Sequence, residues 1–347
     1  MPNAAQLPVS SKQKAAGSIR LRPRLLCCLP TAYGLLLTVI AGCAYAPRRT
    51  PLAHPDPLPQ ELAQYYDSPR RHPQATVQLV QTRRAFRQFL VRFPLSAAEF
   101  EPAEPIVEFE WFESHAPGRR PAILLNPILG GDYPLERGVC TVFATHGFHV
   151  ALVHRKTLKI SPEHDVAHLE LLLRQGVLRI RQVVDWMAAQ DRVDPTRLGS
   201  FGISMGGIAT VMAAAVEPRL RAHVVALAGG GIADILVASR DTLLTRPTRR
   251  YLARRHMDPK ALEAAVRREV RTDPIRLAPY VDSSRLLLFI ALADRTVGSA
   301  NELRLWRALG RPAAVFFPTG HYTSYLLLPY LKYESLRFFK KTLEAPG

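Results

Sequence analysis

From about residue 120 onward the chain alternates between two kinds of apolar patterning. Short, nearly unbroken apolar runs occur at 122–125, 149–153, 222–227, 286–292 and 313–317. Runs this brief and this uniformly apolar suit strands buried on both faces of a parallel sheet. Between them lie segments with an apolar stripe at helical spacing: 135–145, and 177–188, where Val177, Ile180, Val184 and Met187 share one side. Strands and helices taking turns in this way predict an α/β domain, a mostly parallel, doubly wound sheet with helices on both faces. Upstream the period changes. Val107, Phe109 and Trp111 alternate with Glu108, Glu110 and Phe112, which predicts a strand over 106–113. The 91–95 stretch is also strand-like, and the spacing across 79–90 predicts a helix.

One predicted strand runs into Gly202-Ile203-Ser204-Met205-Gly206 and straight out into a helix that continues to about Val216. A serine hydroxyl is a weak nucleophile at neutral pH, so it needs an exposed position and a base within reach. A sharp strand-to-helix turn supplies the exposure at the cost of strained dihedrals and a close approach of strand and helix. Gly202 and Gly206 relieve that crowding. The turn also aims the first N–H groups of the helix at the reacting centre, where a developing oxyanion would sit.

Two later loops carry groups that complete this chemistry. Strand 286–292 ends in Ala293-Asp294-Arg295, and strand 313–317 ends in Pro318-Thr319-Gly320-His321. Serine, acid and histidine in that order, each at a strand's carboxyl end, resemble the α/β-hydrolase superfamily, its esterases and dienelactone hydrolases in particular, over roughly residue 79 to the C-terminus. The resemblance implies Ser204 as nucleophile, His321 as general base and acid, and Asp294 as the group that orients the imidazole. Asp234, after the preceding strand, is the alternative acid. For the oxyanion hole it implies the Met205 N–H and a second donor after the early strand. That family's His-Gly is Pro127-Ile128 here; Pro127 has no N–H, so the donor falls to Leu129, with Ile128 as the alternative. Residues 230–279 leave the alternation and read as a helical lid insertion rich in arginine. No cofactor or metal is implied. His164 and His168 have a ligand-like spacing, but no third ligand accompanies them.

With 48% hydrophobic and 22% charged residues in 347, the chain is long enough for one large core. Its front end differs: no acidic residue precedes Asp56, and Lys12, Lys14, Arg20, Arg22 and Arg24 lead into an apolar run from 25 to 42. That is a signal-peptide layout. Ala41-Gly42-Cys43 resembles the lipobox of bacterial lipoproteins, which implies lipidation of Cys43 and an envelope protein anchored in a membrane; an uncleaved anchor is the alternative. The expected organisation is therefore a leader over 1–42, a Pro-rich linker over 43–75 and a hydrolase domain over 76–347. Five positive charges lie in the leader, so the formal charge falls from +17 to +12 (17 − 5) beyond it. No nucleic-acid-binding motif accompanies this charge. The only cysteine past the leader boundary, Cys140, excludes a disulfide framework. The expected activity is hydrolysis of a carboxylic ester or lactone. A peptidase of the prolyl-oligopeptidase kind, disfavoured by the lack of a propeller-sized N-terminal segment, a lipase, and a non-catalytic ligand-binding lipoprotein are the alternatives. The natural small-molecule substrate and the oligomeric state are not encoded in any motif.

Overall fold

The computed structural model describes residues 44–47, 55–67, 74–96, 104–130, 132–155 and 160–344. In chain order the elements are β1 (Ala44–Ala46), α1 (Gln60–Tyr65), β2 (Thr76–Thr82), β3 (Phe86–Pro94), β4 (Ile106–Ser114), β5 (Arg120–Asn126), α2 (Pro134–Thr145), β6 (His149–Val153), α3 (Val166–Ala188), β7 (Val193–Ile203), α4 (Met205–Val216) and β8 (Leu220–Ala226). Four helices follow, α5 (Ile232–Ala238), α6 (Thr242–Arg255), α7 (Pro259–Glu269) and α8 (Pro274–Leu277). The chain then returns through β9 (Leu286–Ala291), α9 (Ser299–Ala308), β10 (Ala313–Phe317) and α10 (Leu328–Phe339).

The described strands form one sheet in the order β1-β10-β9-β8-β7-β5-β6-β4-β3-β2. Pairing is parallel from β10 through to β6 and antiparallel at both ends. The apolar runs become the parallel strands, and β6 and β9 are buried at every position. From β5 the chain goes to β6 on one side, then crosses to β7 on the other. The carboxyl ends of β5 and β7 therefore flank the point where strand order reverses, which is where open α/β sheets offer a crevice. Helix α3, capped by the Asp165 carboxylate on the His168 N–H, serves two cores. Leu169, Leu173 and Val177 pack with α4 and the four-helix insertion, while Val183, Val184 and Met187 pack under β3 to β5.

Two expectations need correction. The segment 79–90 is not a helix; it is a hairpin of β2 and β3. Val77, Leu79 and Val80 lie exposed on the outermost strand, a register shift falls between Leu79 and Gln81, and the buried positions of β3 change phase between Gln88 and Val91. Without a clean period of two, the apolar spacing mimics a helix. Nor is 43–75 simply a linker. Within its described part, β1 pairs with β10, and Tyr66 is fully buried with its hydroxyl 2.8 Å from that of Thr272. The prolines obscured an anchoring group of Leu58, Leu62, Tyr65 and Tyr66. The leader and Cys43 lie outside the described residues. Among the described residues no helix is long and apolar enough to cross a membrane.

Candidate active site

Ser204 stands alone between β7 and α4 with φ 56° and ψ −122°, a conformation that a non-glycine residue holds only when its surroundings impose it. They do so here: the Ser204 N–H donates to Ala226 O at 2.8 Å and its carbonyl accepts from the Ile208 N–H at 3.0 Å. The flanking glycines are explained by close approach. A Cβ on Gly202 would lie 2.1 Å from the Gly206 carbonyl oxygen, and one on Gly206 would lie 2.2 Å from that of Asn126 at the end of β5. Gly206 is thus needed for α4 to abut β5, a contact the local motif does not reveal. Among the described residues the Ser204 hydroxyl has no hydrogen-bond partner, and it faces a cavity of about 220 Å³.

His321 lines the same cavity. Its Nδ1 lies 2.6 Å from Asp294 Oδ2. The other carboxylate oxygen of Asp294 accepts from the N–H groups of Thr296 at 2.6 Å, Val297 at 2.9 Å and Gly298 at 3.3 Å. Burial alone would raise the Asp294 pKa, but hydrogen bonds from His321, Glu302 and the Thr296 N–H outweigh it and hold the carboxyl at about 2. An ionised Asp294 accepts a hydrogen bond from Nδ1–H, which fixes the tautomer and leaves Nε2 free to accept. Behind it, Glu302 is fully buried with Oε2 accepting from the Ala291 N–H; burial first, and the neighbouring Asp294 second, raise its pKa well above the usual range. The alternative acid, Asp234, is elsewhere: it sits in the first turn of α5, paired with Arg267 at 2.7 Å and Arg304 at 2.6 Å.

The loop after β5 is fixed by two charged side chains. Glu136, buried in the first turn of α2, accepts the Ile128 N–H at 2.8 Å, and the Arg155 guanidinium donates to Ile128 O at 2.8 Å and Pro127 O at 3.2 Å. Burial lowers the Arg155 pKa to about 10, so it remains cationic at neutral pH. The Ile128 N–H is thus committed to Glu136, and Ile128, Leu129 and Met205 all line the cavity. Glu136, Arg155 and Glu302 were missed from sequence. Arg155 carried one usable signal, a charge two residues beyond the buried strand β6; Glu136 and Glu302 look like ordinary helical surface residues.

Most of the remaining cavity wall is aliphatic, with Leu169 and Leu173 of α3, Ile208 of α4, Ile232, Ile235 and Leu236 of α5, and Leu243, Leu244 and Pro247 of α6, and Asp241, Thr248, Thr296, Tyr322 and Tyr325 add polar groups. Within 230–279 the chain forms the helices α5 to α8, and residues of α5 and α6 line one side of the cavity. His164 and His168 stack at 3.9 Å between ring centroids, with Asp165 spent on the α3 cap, and no group of three potential metal ligands occurs among the described residues. Cys140 is fully buried, which pushes its thiol pKa up.

Fold and site together define a hydrolase of the α/β-hydrolase fold. An acetyl xylan esterase from Paenibacillus sp. superposes with a TM-score of 0.63 at 16% identity, covering 85% of this chain and 98% of its own. One from Thermoanaerobacterium sp. gives 0.58 at 15% identity over 80% and 95%, and the Pyrococcus horikoshii acylaminoacyl peptidase gives 0.54 at 16% over 76% and 43%. Residues 141–318, more than half of the chain, match the model of the prolyl oligopeptidase family, and the chain belongs to that family. Two curated relatives, both uncharacterized proteins of Mycobacterium tuberculosis, are 27% identical over half of this chain, and the match spans 38% of their length.

Proposed function

We propose that the chain is a serine hydrolase that cleaves carboxylic esters with an apolar acyl group through an acyl-enzyme on Ser204. The observation that carries this reading is the His321 imidazole, held by an ionised Asp294, facing the same apolar cavity as a serine on a strained turn. Ser204 Oγ attacks the ester carbonyl carbon as its proton passes to His321 Nε2. The Met205 and Leu129 N–H groups receive the negative charge on the carbonyl oxygen. Collapse breaks the acyl–oxygen bond, and His321 returns the proton to the departing alcohol. Water, deprotonated by the same imidazole, then releases the acid and restores Ser204.

Family membership keeps a peptidase as the second reading, since acyl transfer to serine is the same chemistry for amides. The cavity favours esters: its walls hold a few hydroxyls and Asp241 among aliphatic side chains, and little that would pair with the N–H and C=O groups of an extended peptide. The named activity of the acetyl xylan esterases points the same way, although their small acyl group would leave this cavity part empty. A fluorophosphonate probe is expected to label the wild type and not Ser204→Ala. Absence of label, or label that survives Ser204→Ala, overturns the reading and supports a ligand-binding role. A matched ester and anilide of one medium-chain acid then separates esterase from peptidase, with the ester turned over faster. We further propose export as a lipoprotein through Cys43, tested by palmitate incorporation that Cys43→Ser abolishes.

A further inference from the structure

Helix α6 has two faces suited to different surroundings. Leu244, Pro247 and Thr248 line the cavity and Tyr251 is buried, whereas Arg246, Arg249, Arg250 and Arg254 are exposed. At 100° per residue, Leu243, Arg250 and Arg254 fall along one line of the helix, with Arg246 about 60° to one side and Arg249 about 120° round on that side. No acidic residue occurs between Thr242 and Arg255. Arg250 reaches Glu163 only at 4.0 Å, and Arg246, Arg249 and Arg254 have no ion-pair partner among the described residues. Several arginines elsewhere are paired with carboxylates, as in Arg137–Glu110, Arg179–Glu104 and Arg219–Glu217.

The cavity mouth beside this row exposes apolar groups around one acidic side chain, Asp241, which accepts from the Tyr322 hydroxyl. Leu243 and Tyr322 line the cavity and yet are 57% and 52% exposed; Leu326, next to the cavity-lining Tyr325, is 68% exposed. Exposed apolar groups around an apolar cavity, flanked by unpaired cations, match a helix that lies in a lipid interface. Charge complementarity requires an anionic partner, and the apolar rim requires one that also presents hydrocarbon. A polyanion without hydrocarbon meets only the first requirement.

We propose that this face of α6, with Leu243, Tyr322 and Leu326, docks on an anionic lipid surface, and that the cavity takes its acyl group from an amphiphile in that surface. The second clause rests on the ester-hydrolase reading of Ser204; the first does not. The test is a bimane probe on Leu243→Cys in the full chain with Cys27, Cys28 and Cys43 changed to Ser, Cys140 being buried. Phosphatidylcholine vesicles containing phosphatidylglycerol are expected to shift its emission to the blue, an effect that raised salt weakens and pure phosphatidylcholine does not produce. Changing Arg246, Arg249, Arg250 and Arg254 together to Gln should weaken this binding about tenfold or more while hydrolysis of a soluble short-chain ester is unchanged. The proposal is overturned by no shift on anionic vesicles, by an equal shift on neutral ones, by binding that survives the fourfold change, or by an equal shift with an oligonucleotide. Because the probe reads docking and the soluble ester reads Ser204, each clause fails separately.

Discussion

Strand β7 and its turn carry two serines four residues apart, each matched with a histidine, and the two pairs stand in opposite surroundings. Ser200 Oγ lies 2.8 Å from His223 Nδ1, both side chains are buried, and neither lines the cavity that Ser204 faces. Ser204 and His321 make no hydrogen bond to each other in this structure, yet both open onto the cavity and His321 Nδ1 is held by a carboxylate. On the proposed assignment, a serine–histidine hydrogen bond is not required in the unliganded state. What distinguishes the pairs is what stands behind the imidazole and what space lies before it. At His223 the Nδ1 faces a neutral serine, and burial, with Arg285 nearby, lowers its pKa to about 3.

The largest expected effect tests that contrast directly. Ser204→Ala should lower ester turnover by about 10⁶. Ser200→Ala should leave turnover within about twofold and cost about 1–3 kcal/mol of stability, because it strands a buried imidazole nitrogen. Measuring kcat and urea unfolding for both variants checks this; loss of turnover in Ser200→Ala with stability intact would erase the distinction. Next comes the acid. Asp294→Asn removes the charge that fixes the His321 tautomer and should lower turnover by about 10⁴. Asp234→Asn breaks only ion pairs with Arg267 and Arg304 and should retain near-normal turnover. The reverse result would move the acid to α5.

A smaller effect is expected where the donor loop is held. Glu136→Leu leaves the Ile128 N–H unpaired and frees the loop, so kcat should fall about tenfold with KM little changed. Glu136→Gln keeps an acceptor oxygen at that place and should restore most of it. A fall in KM and kcat alike, or no rescue by Gln, would mean that Glu136 serves packing alone.

Much of the site was readable along the chain because each member announces itself locally. Ser204 has its glycines, Asp294 and His321 follow apolar strands, and a strand's end is a place that sequence can name. The parallel strands were equally legible, since burial on both faces leaves unbroken apolar runs. What sequence could not supply is what depends on a second element. Gly206 answers to Asn126 on another strand, Glu136 answers to a loop eight residues earlier, and Ser200 finds His223 only through the β7–β8 register. The β2–β3 hairpin escaped for a different reason: its apolar residues face solvent or change phase, so no period marks it.

The smallest effect concerns His223 and leaves turnover alone. Its folded-state pKa of about 3 lies below the ordinary 6.5, so the native state excludes a proton that the unfolded chain accepts. Stability therefore falls as pH drops below 6.5, by about 1.4 kcal/mol per pH unit for one such group, until pH approaches 3. His149, which burial lowers to about 4, adds a second slope of the same sign over 6.5 to 4. His223→Gln removes one of the two. Urea unfolding at pH 7.5 and pH 5 should show the wild type losing more stability than the variant across that interval, even if the variant starts lower for want of the Ser200 bond. Equal losses would mean that His223 is protonated in the native state, and the enclosed pair would then be a charged one whose resemblance to the open pair is closer than its burial suggests.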